Sequence, residues 1–140
     1  MSRWMKGLGI AVLVEAGVLG LSVWQYDREQ TAYRLLRQGT PEALNQVIQR
    51  FPRYRGVALV LLGNRFLQEG LRRGDAALIQ KAALCYREAL RMEPHRMEAK
   101  KNLEVAQRHL GPSWRPERRE PTLEFRRVFP SIRPLKPTDI

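Results

Sequence analysis

The sequence predicts an all-α chain in three parts: a single N-terminal transmembrane anchor over residues 1–24, a short body of helical hairpins over 25–110, and an extended, proline-rich basic tail over 111–140. Three observations predict it. Residues 7–24 form an 18-residue run whose only charge is Glu15. Between 25 and 110 apolar residues recur at spacings of three and four, with no convincing period of two. Six of the nine prolines fall after residue 110, a density that excludes a regular helix or a central strand there.

Length and composition bound the function classes. A chain of 140 residues has room for one small domain beside an anchor and a tail, which excludes a large multidomain enzyme. Its single cysteine makes no intramolecular disulfide and no cysteine-built zinc site. With 44% hydrophobic and 28% charged residues the average is globular and gives no support to whole-chain disorder or to a polytopic membrane protein. The formal net charge of +11 directs attention to acidic proteins, lipid headgroups or nucleic acid as partners.

The first element is the anchor. At 1.5 Å per residue, the run from Gly7 to Trp24 spans roughly 27 Å, close to the thickness of a bilayer core. Trp4 precedes it and Trp24 and Tyr26 close it, placing amphipathic rings at both headgroup levels. A cleaved signal peptide is the rival reading, with Arg3 and Lys6 as its basic region and Gly20-x-Ser22 as its small-residue site. The length of the run and its aromatic flanks favour the uncleaved anchor. Glu15 either tolerates the bilayer by protonating or drawing in water, or meets another helix, with Gly7, Ala11 and Ala16-x-x-x-Gly20 letting a neighbour come close. The local Lys/Arg count does not orient the span. A short head left in the cytoplasm places the body outside the inner membrane, in a periplasm if the cell is Gram-negative.

The body follows as short helices. Thr40-Pro41-Glu42 is an N-cap, a proline at the first helical position and an early acid, with Leu44, Val47, Ile48 and Phe51 as the apolar stripe and Pro52 as the stop. A second helix is predicted from about Tyr54 to Gly70, with Leu59, Leu62 and Phe66 on one face and Gly56 and Gly63 permitting close approach. Gly74-Asp75 is the next break and cap, opening a helix to Met92 along which Leu78, Ala82, Cys85, Tyr86 and Ala89 align. Pro94 starts the last helix, with Met97, Leu103, Ala106 and Leu110, and Gly111-Pro112 stops it. The tail is read as extended, with Trp114, Leu123, Phe125, Val128, Phe129, Ile132 and Leu135 as apolar anchors.

Catalytic constellations are sparse, and no catalytic, cofactor-binding or metal-binding residue is assigned. His95 and His109 are 14 residues apart, too far along one helix to share a metal. Cys85 lies on an apolar stripe beside Tyr86, the setting of an inert buried thiol. Gly7-x-Gly9 has no preceding strand and no third glycine, so it is not a dinucleotide loop. Arg50, Arg53, Arg55, Arg72, Arg73, Arg96, Lys100 and Lys101 make either a basic face or a solvated arginine-rich surface. Interspersed acids and the lack of a nucleic-acid module disfavour nucleic acid as a partner.

Part of the body resembles a tetratricopeptide repeat. Leu62-Gly63, Phe66, Gly70, Ala82, Tyr86, Ala89-Leu90 and Pro94 follow its order, with about seven residues inserted between the two helices, around Leu71 to Ala77. One and a half repeats are fewer than a free-standing solenoid uses, so the tail or a partner is expected to cover an apolar edge. The anchor, Tyr33 to Gly39, Leu62-Gly63-Asn64, Cys85 to Leu90 with Pro94, Ala99 to Ala106 and the proline-rich end together resemble the MxaK-type proteins of methanol-oxidation gene clusters. They are also similar to the Bat-type tetratricopeptide proteins that accompany MoxR-type ATPases and von Willebrand A-domain proteins. The resemblance implies a non-enzymatic accessory role in maturing a periplasmic metalloenzyme, which for the MxaK type is calcium loading of methanol dehydrogenase. It also implies that the first helix of each repeat lines the binding face, making Arg65, Lys100, Lys101 and Arg108 candidates to meet an acidic partner, with Leu62, Tyr86, Ala89 and Leu103 as packing residues. Glu15, Trp114, Phe125 and Phe129 are further partner-binding candidates. The competing expectation is a small single-span subunit held inside a larger membrane complex.

Overall fold

A computed structural model describes residues 3–112, 114 and 121–130, with side chains described from residue 20 onward except at 121–124. Every regular element among the described residues is helical: α1 (Arg3–Gln38), α2 (Pro41–Arg50), a 3-10 turn (Pro52–Tyr54), α3 (Arg55–Arg73), α4 (Ala76–Met92), α5 (Met97–Leu110) and α6 (Pro121–Val128). The chain divides into two compact units, Met1–Arg34 and Leu35–Ile140.

The first unit is the greater part of α1, an uninterrupted helix of 36 residues and about 54 Å. The anchor boundary read at residue 24 is therefore not a break in the backbone, because no glycine or proline lies between Leu21 and Gln38. Gly39, at φ +60°, ends the helix. Residues 7–19 of the apolar run, Glu15 among them, lie outside the described side chains. Among the described residues, no helix is long and apolar enough to cross a membrane.

The second unit is built from the caps that the sequence announces. Thr40 Oγ1 accepts from the Ala43 amide at 3.2 Å and Pro41 occupies the first helical position, so α2 begins where predicted. Its Leu44, Val47 and Ile48 are buried on one stripe, which packs on α3. α3 and α4 form an antiparallel hairpin. The residues inserted relative to the repeat are taken up by helix and not by a loop: α3 runs on to Arg73, and only Gly74 and Asp75 separate it from α4. Gly74 takes φ +67° and Asp75 Oδ1 accepts from the amides of Ala77 and Leu78.

The α3–α4 contact depends on a missing side chain. A Cβ placed on Gly63 would lie 2.7 Å from the ring of Tyr86, which is itself fully buried, so the aromatic rests directly on the α3 backbone. Leu59, Leu62, Ala82, Cys85 and Ala89 complete the interface, all at 0% exposure, whereas Phe66 and Leu78 are half-buried. Burial pushes the Cys85 thiol well above its ordinary pKa, which leaves it protonated and unreactive.

Two expectations are corrected. Pro94 does not start α5: the Arg96 amide donates to the Glu93 carbonyl at 3.1 Å, placing Pro94 second in a turn, its favoured position, and the helix begins at Met97. The tail is not extended throughout, since α6 forms from Pro121 to Val128. Averaging prolines over thirty residues hides the interval between Pro121 and Pro130, where one proline occupies the tolerated first turn and the next follows the helix end. α6 packs on α4 and sets Phe125 and Phe129, four residues apart, with ring centroids 4.8 Å from each other; Phe129 is 5.9 Å from Phe66. The described part of the tail, α6 with Phe129, thus covers an apolar patch of the hairpin at Phe66. α5 presents Lys101, Glu104 and Arg108 outward, leaving Met97 and Val105 as its exposed large apolar side chains.

Candidate partner-binding face

Three helices of the body, α3, α4 and α5, meet at Asn64. It follows the Leu62-Gly63 pair on α3, and its Oδ1 accepts from the Tyr86 hydroxyl of α4 at 2.8 Å and from Asn102 Nδ2 of α5 at 2.7 Å. Its Nδ2 donates to Glu98 Oε1 of α5 at 3.1 Å. One amide therefore ties three helices together, and the two donors on its oxygen fix which way it points. Burial, ahead of nearby charge, raises the Tyr86 phenol above its ordinary pKa, so it remains the donor this arrangement requires. Sequence reading noted Asn64 only as part of a motif and did not single out Asn102. The available signal was two asparagines inside helices, where their side chains are unfavourable unless tertiary partners use them.

Beside this hub α3 and α5 leave stripes open. That of α3 carries half-exposed Val57 and Leu61 with exposed Arg65 and Gln68; that of α5 carries exposed Glu98, Lys101 and Val105. At about 100° per residue, Lys101 falls on the same side of α5 as Glu98 and Val105, adjoining the contact with α3. Lys100 lies about 100° further round and does not adjoin that side. The two lysines, paired as candidates from sequence, are thus separated by the helix.

The other candidates are also distributed. Arg65 lies against Gly39, whose Cβ position would be 3.0 Å from Arg65 Nη2, at the carbonyl end of α1, where a cation is favoured. Arg108 is paired with Glu104. The turn after α5, with the Trp114 amide donating to the Gly111 carbonyl at 3.2 Å, folds half-exposed Trp114 back so that it shares a shallow cleft with Arg108, Glu104 and Pro112. Phe125 and Phe129, read as partner contacts, are 3% and 8% exposed and make their contacts within the chain. For Glu15 no side-chain environment is described.

The proposed basic face does not hold as a continuous patch. Arg72 and Arg73 pair with Glu69, and Arg96 pairs with Glu93. Hydrogen bonding to Arg72 is the first cause that lowers the Glu69 carboxyl to about 2. Arg55 is not on the surface at all: it is 2% exposed, electrostatically coupled to Glu88, which is also 2% exposed and accepts from Arg91 at 3.0 Å. Burial lowers the Arg55 pKa and the carboxylate opposes that shift. Lys100 and Lys101 have no acidic partner among the described residues. No group of His, Cys, Asp and Glu suited to a metal ion occurs among the described residues. Comparison of the chain with family models, curated proteins and solved structures finds no match.

Proposed function

We propose that this chain is a membrane-anchored, non-enzymatic protein-interaction scaffold with a tetratricopeptide-like body. Residues 7–24 hold it in the cytoplasmic membrane, and the open face of α3 and α5 receives a partner protein. The observation that carries this reading is the Asn64 hub, which joins α3, α4 and α5 beside two open stripes, one with Leu61 and Arg65 a turn apart on α3 and one with Lys101 and Val105 a turn apart on α5. Apolar contact with an adjoining cation suits an acidic, partly apolar segment. The resemblance to MxaK-type and Bat-type proteins supports placing the body in the periplasm and assigning it to maturation of a metalloenzyme, with a MoxR-type ATPase or an A-domain protein as partner.

Purification of the tagged full-length protein from its native membranes, in detergent, tests the reading. A scaffold is recovered with its partner in a salt-dependent way, and Lys101→Glu lowers that recovery more than Lys100→Glu does. Equal loss from both substitutions, or no loss at low salt, removes the α3–α5 face from consideration. Salt-resistant, stoichiometric recovery with a membrane enzyme identifies a permanent subunit instead.

A further inference from the structure

Residues 21–28 of α1 carry apolar surface of a particular shape. Leu21, Val23, Trp24 and Tyr26 are 62%, 68%, 56% and 66% exposed. At about 100° per residue, with Leu21 at zero, Tyr26 falls at about 140°, Val23 at about 200° and Trp24 at about 300°. The four apolar side chains thus point to different sides of the helix, with exposed Ser22 and Gln25 between them. A partner helix covers a stripe, whereas apolar side chains on several sides, with only the uncharged Ser22 and Gln25 among them before Asp27, suit a helix end that meets lipid around its circumference.

The next turn adds chemistry. Charged residues begin directly after Tyr26, at Asp27, Arg28 and Glu29. Helical side chains lean toward the N-terminus, and the Arg28 guanidinium lies over the Trp24 ring with 4.9 Å to its centroid. The cation is therefore drawn back along the helix, toward the apolar run that precedes it. Indole and phenol rings settle at the headgroup level of a bilayer, and a planar guanidinium matches phosphate oxygens in a bidentate manner.

We propose that residues 21–28 form a collar for phospholipid headgroups: Leu21 and Val23 meet acyl chains, Trp24 and Tyr26 lie at the boundary, and Arg28, braced on Trp24, donates hydrogen bonds to lipid phosphate. This rests on the anchor reading and goes beyond it by stating which turn of α1 meets the headgroups and what that turn recognises.

The test uses full-length protein in mixed phosphatidylcholine and phosphatidylglycerol vesicles, with spin labels on single cysteines from Leu21→Cys, Val23→Cys, Trp24→Cys, Tyr26→Cys and Gln30→Cys. The native Cys85 is fully buried and does not compete for label. Flotation with the vesicles reports anchoring separately. Oxygen should outweigh a water-soluble nickel chelate as relaxant at 21 and 23, match it at 24 and 26, and yield to it at 30. Labels at 21 and 24 shielded from both relaxants, beside open 23 and 26, would mean a partner helix and overturn the collar. Water-like labels at all five positions in a protein that floats would overturn it while leaving the anchor standing; a protein that does not float loses both. Arg28→Gln, read by Trp24 fluorescence in a Trp4→Phe, Trp114→Phe background, should shift emission to the red. An unchanged spectrum removes Arg28 from the site.

Discussion

Replacing Gly63 with alanine probes the contact on which the α3–α4 hairpin is built. The new methyl carbon would lie 2.7, 3.0 and 3.1 Å from three atoms of the Tyr86 ring. That ring is fully buried and held at its hydroxyl by Asn64, so it has no open direction in which to swing. Overpacking of this kind costs about 1–3 kcal/mol. Alanine is a better helix former than glycine by about 1 kcal/mol, which offsets part of the loss. Gly63→Ala should therefore destabilise the protein by up to about 2 kcal/mol. Tyr86→Ala alone should cost about 3–5 kcal/mol through the cavity it opens. In that background the sign of Gly63→Ala reverses, because the introduced methyl now enters empty space and keeps its helical advantage of up to about 1 kcal/mol. Urea unfolding of the four proteins in detergent, followed by circular dichroism, supplies the cycle. A Gly63→Ala effect of the same sign in both backgrounds would refute the close approach of ring and backbone.

Further outcomes can be checked on the same preparation. Tyr86→Phe should cost about 1 kcal/mol, since Asn64 Oδ1 keeps the Asn102 donor and is not left unpaired. The raised Tyr86 pKa stabilises the fold fully below the ordinary tyrosine value and less as pH climbs through and beyond it, so Tyr86→Phe should flatten the alkaline limb of the stability curve. The Glu69 carboxyl, lowered from 4.5 to about 2, favours the fold above pH 4.5 and loses that effect as pH falls toward 2; amide shifts in the last turn of α3 should titrate at the low end of this window, near 2, and cease to do so in Glu69→Gln. Asp75→Ala removes the acceptor for two amides and should lower stability by about 1 kcal/mol, measured by thermal unfolding. Phe129→Ala should speed tryptic cleavage at Arg126 and Arg127 while shifting global unfolding much less, because it releases α6 and leaves the hairpin packed.

What could be read from residues alone follows from how local each determinant is. Thr40, Pro41, Gly74 and Asp75 act within one turn of themselves, so their caps were legible at their true positions. Gly63 as a point of close approach and Tyr86 as a packing residue were legible from the repeat order, but not that the two meet, which depends on the register of α3 against α4. α6 was not legible from proline density, since a helix depends on the interval between prolines and on an aromatic pair finding Phe66, a contact 63 residues distant in sequence. The partner-binding candidates suffered most. Charge in a sequence does not reveal that Arg55 is buried, that Glu69 engages two arginines, or that adjacent lysines are turned apart by a helix.

The two-residue turn between α3 and α4 offers a practical handle. Residues 71–77 are all exposed, and nothing lies within 4 Å of where a side chain on Gly74 would begin. Gly74 is ten residues beyond Asn64, so along α3 it is about 15 Å from the hub. Entropy penalises lengthening a surface connection only weakly, by about 0.6 kcal/mol for each doubling. An affinity epitope or a small fluorescent module should therefore be accepted between Gly74 and Asp75, leaving both ends of the chain unmodified. The same position suits expression of the chain as two complementary fragments, with the α3–α4 interface as the surface on which they rejoin.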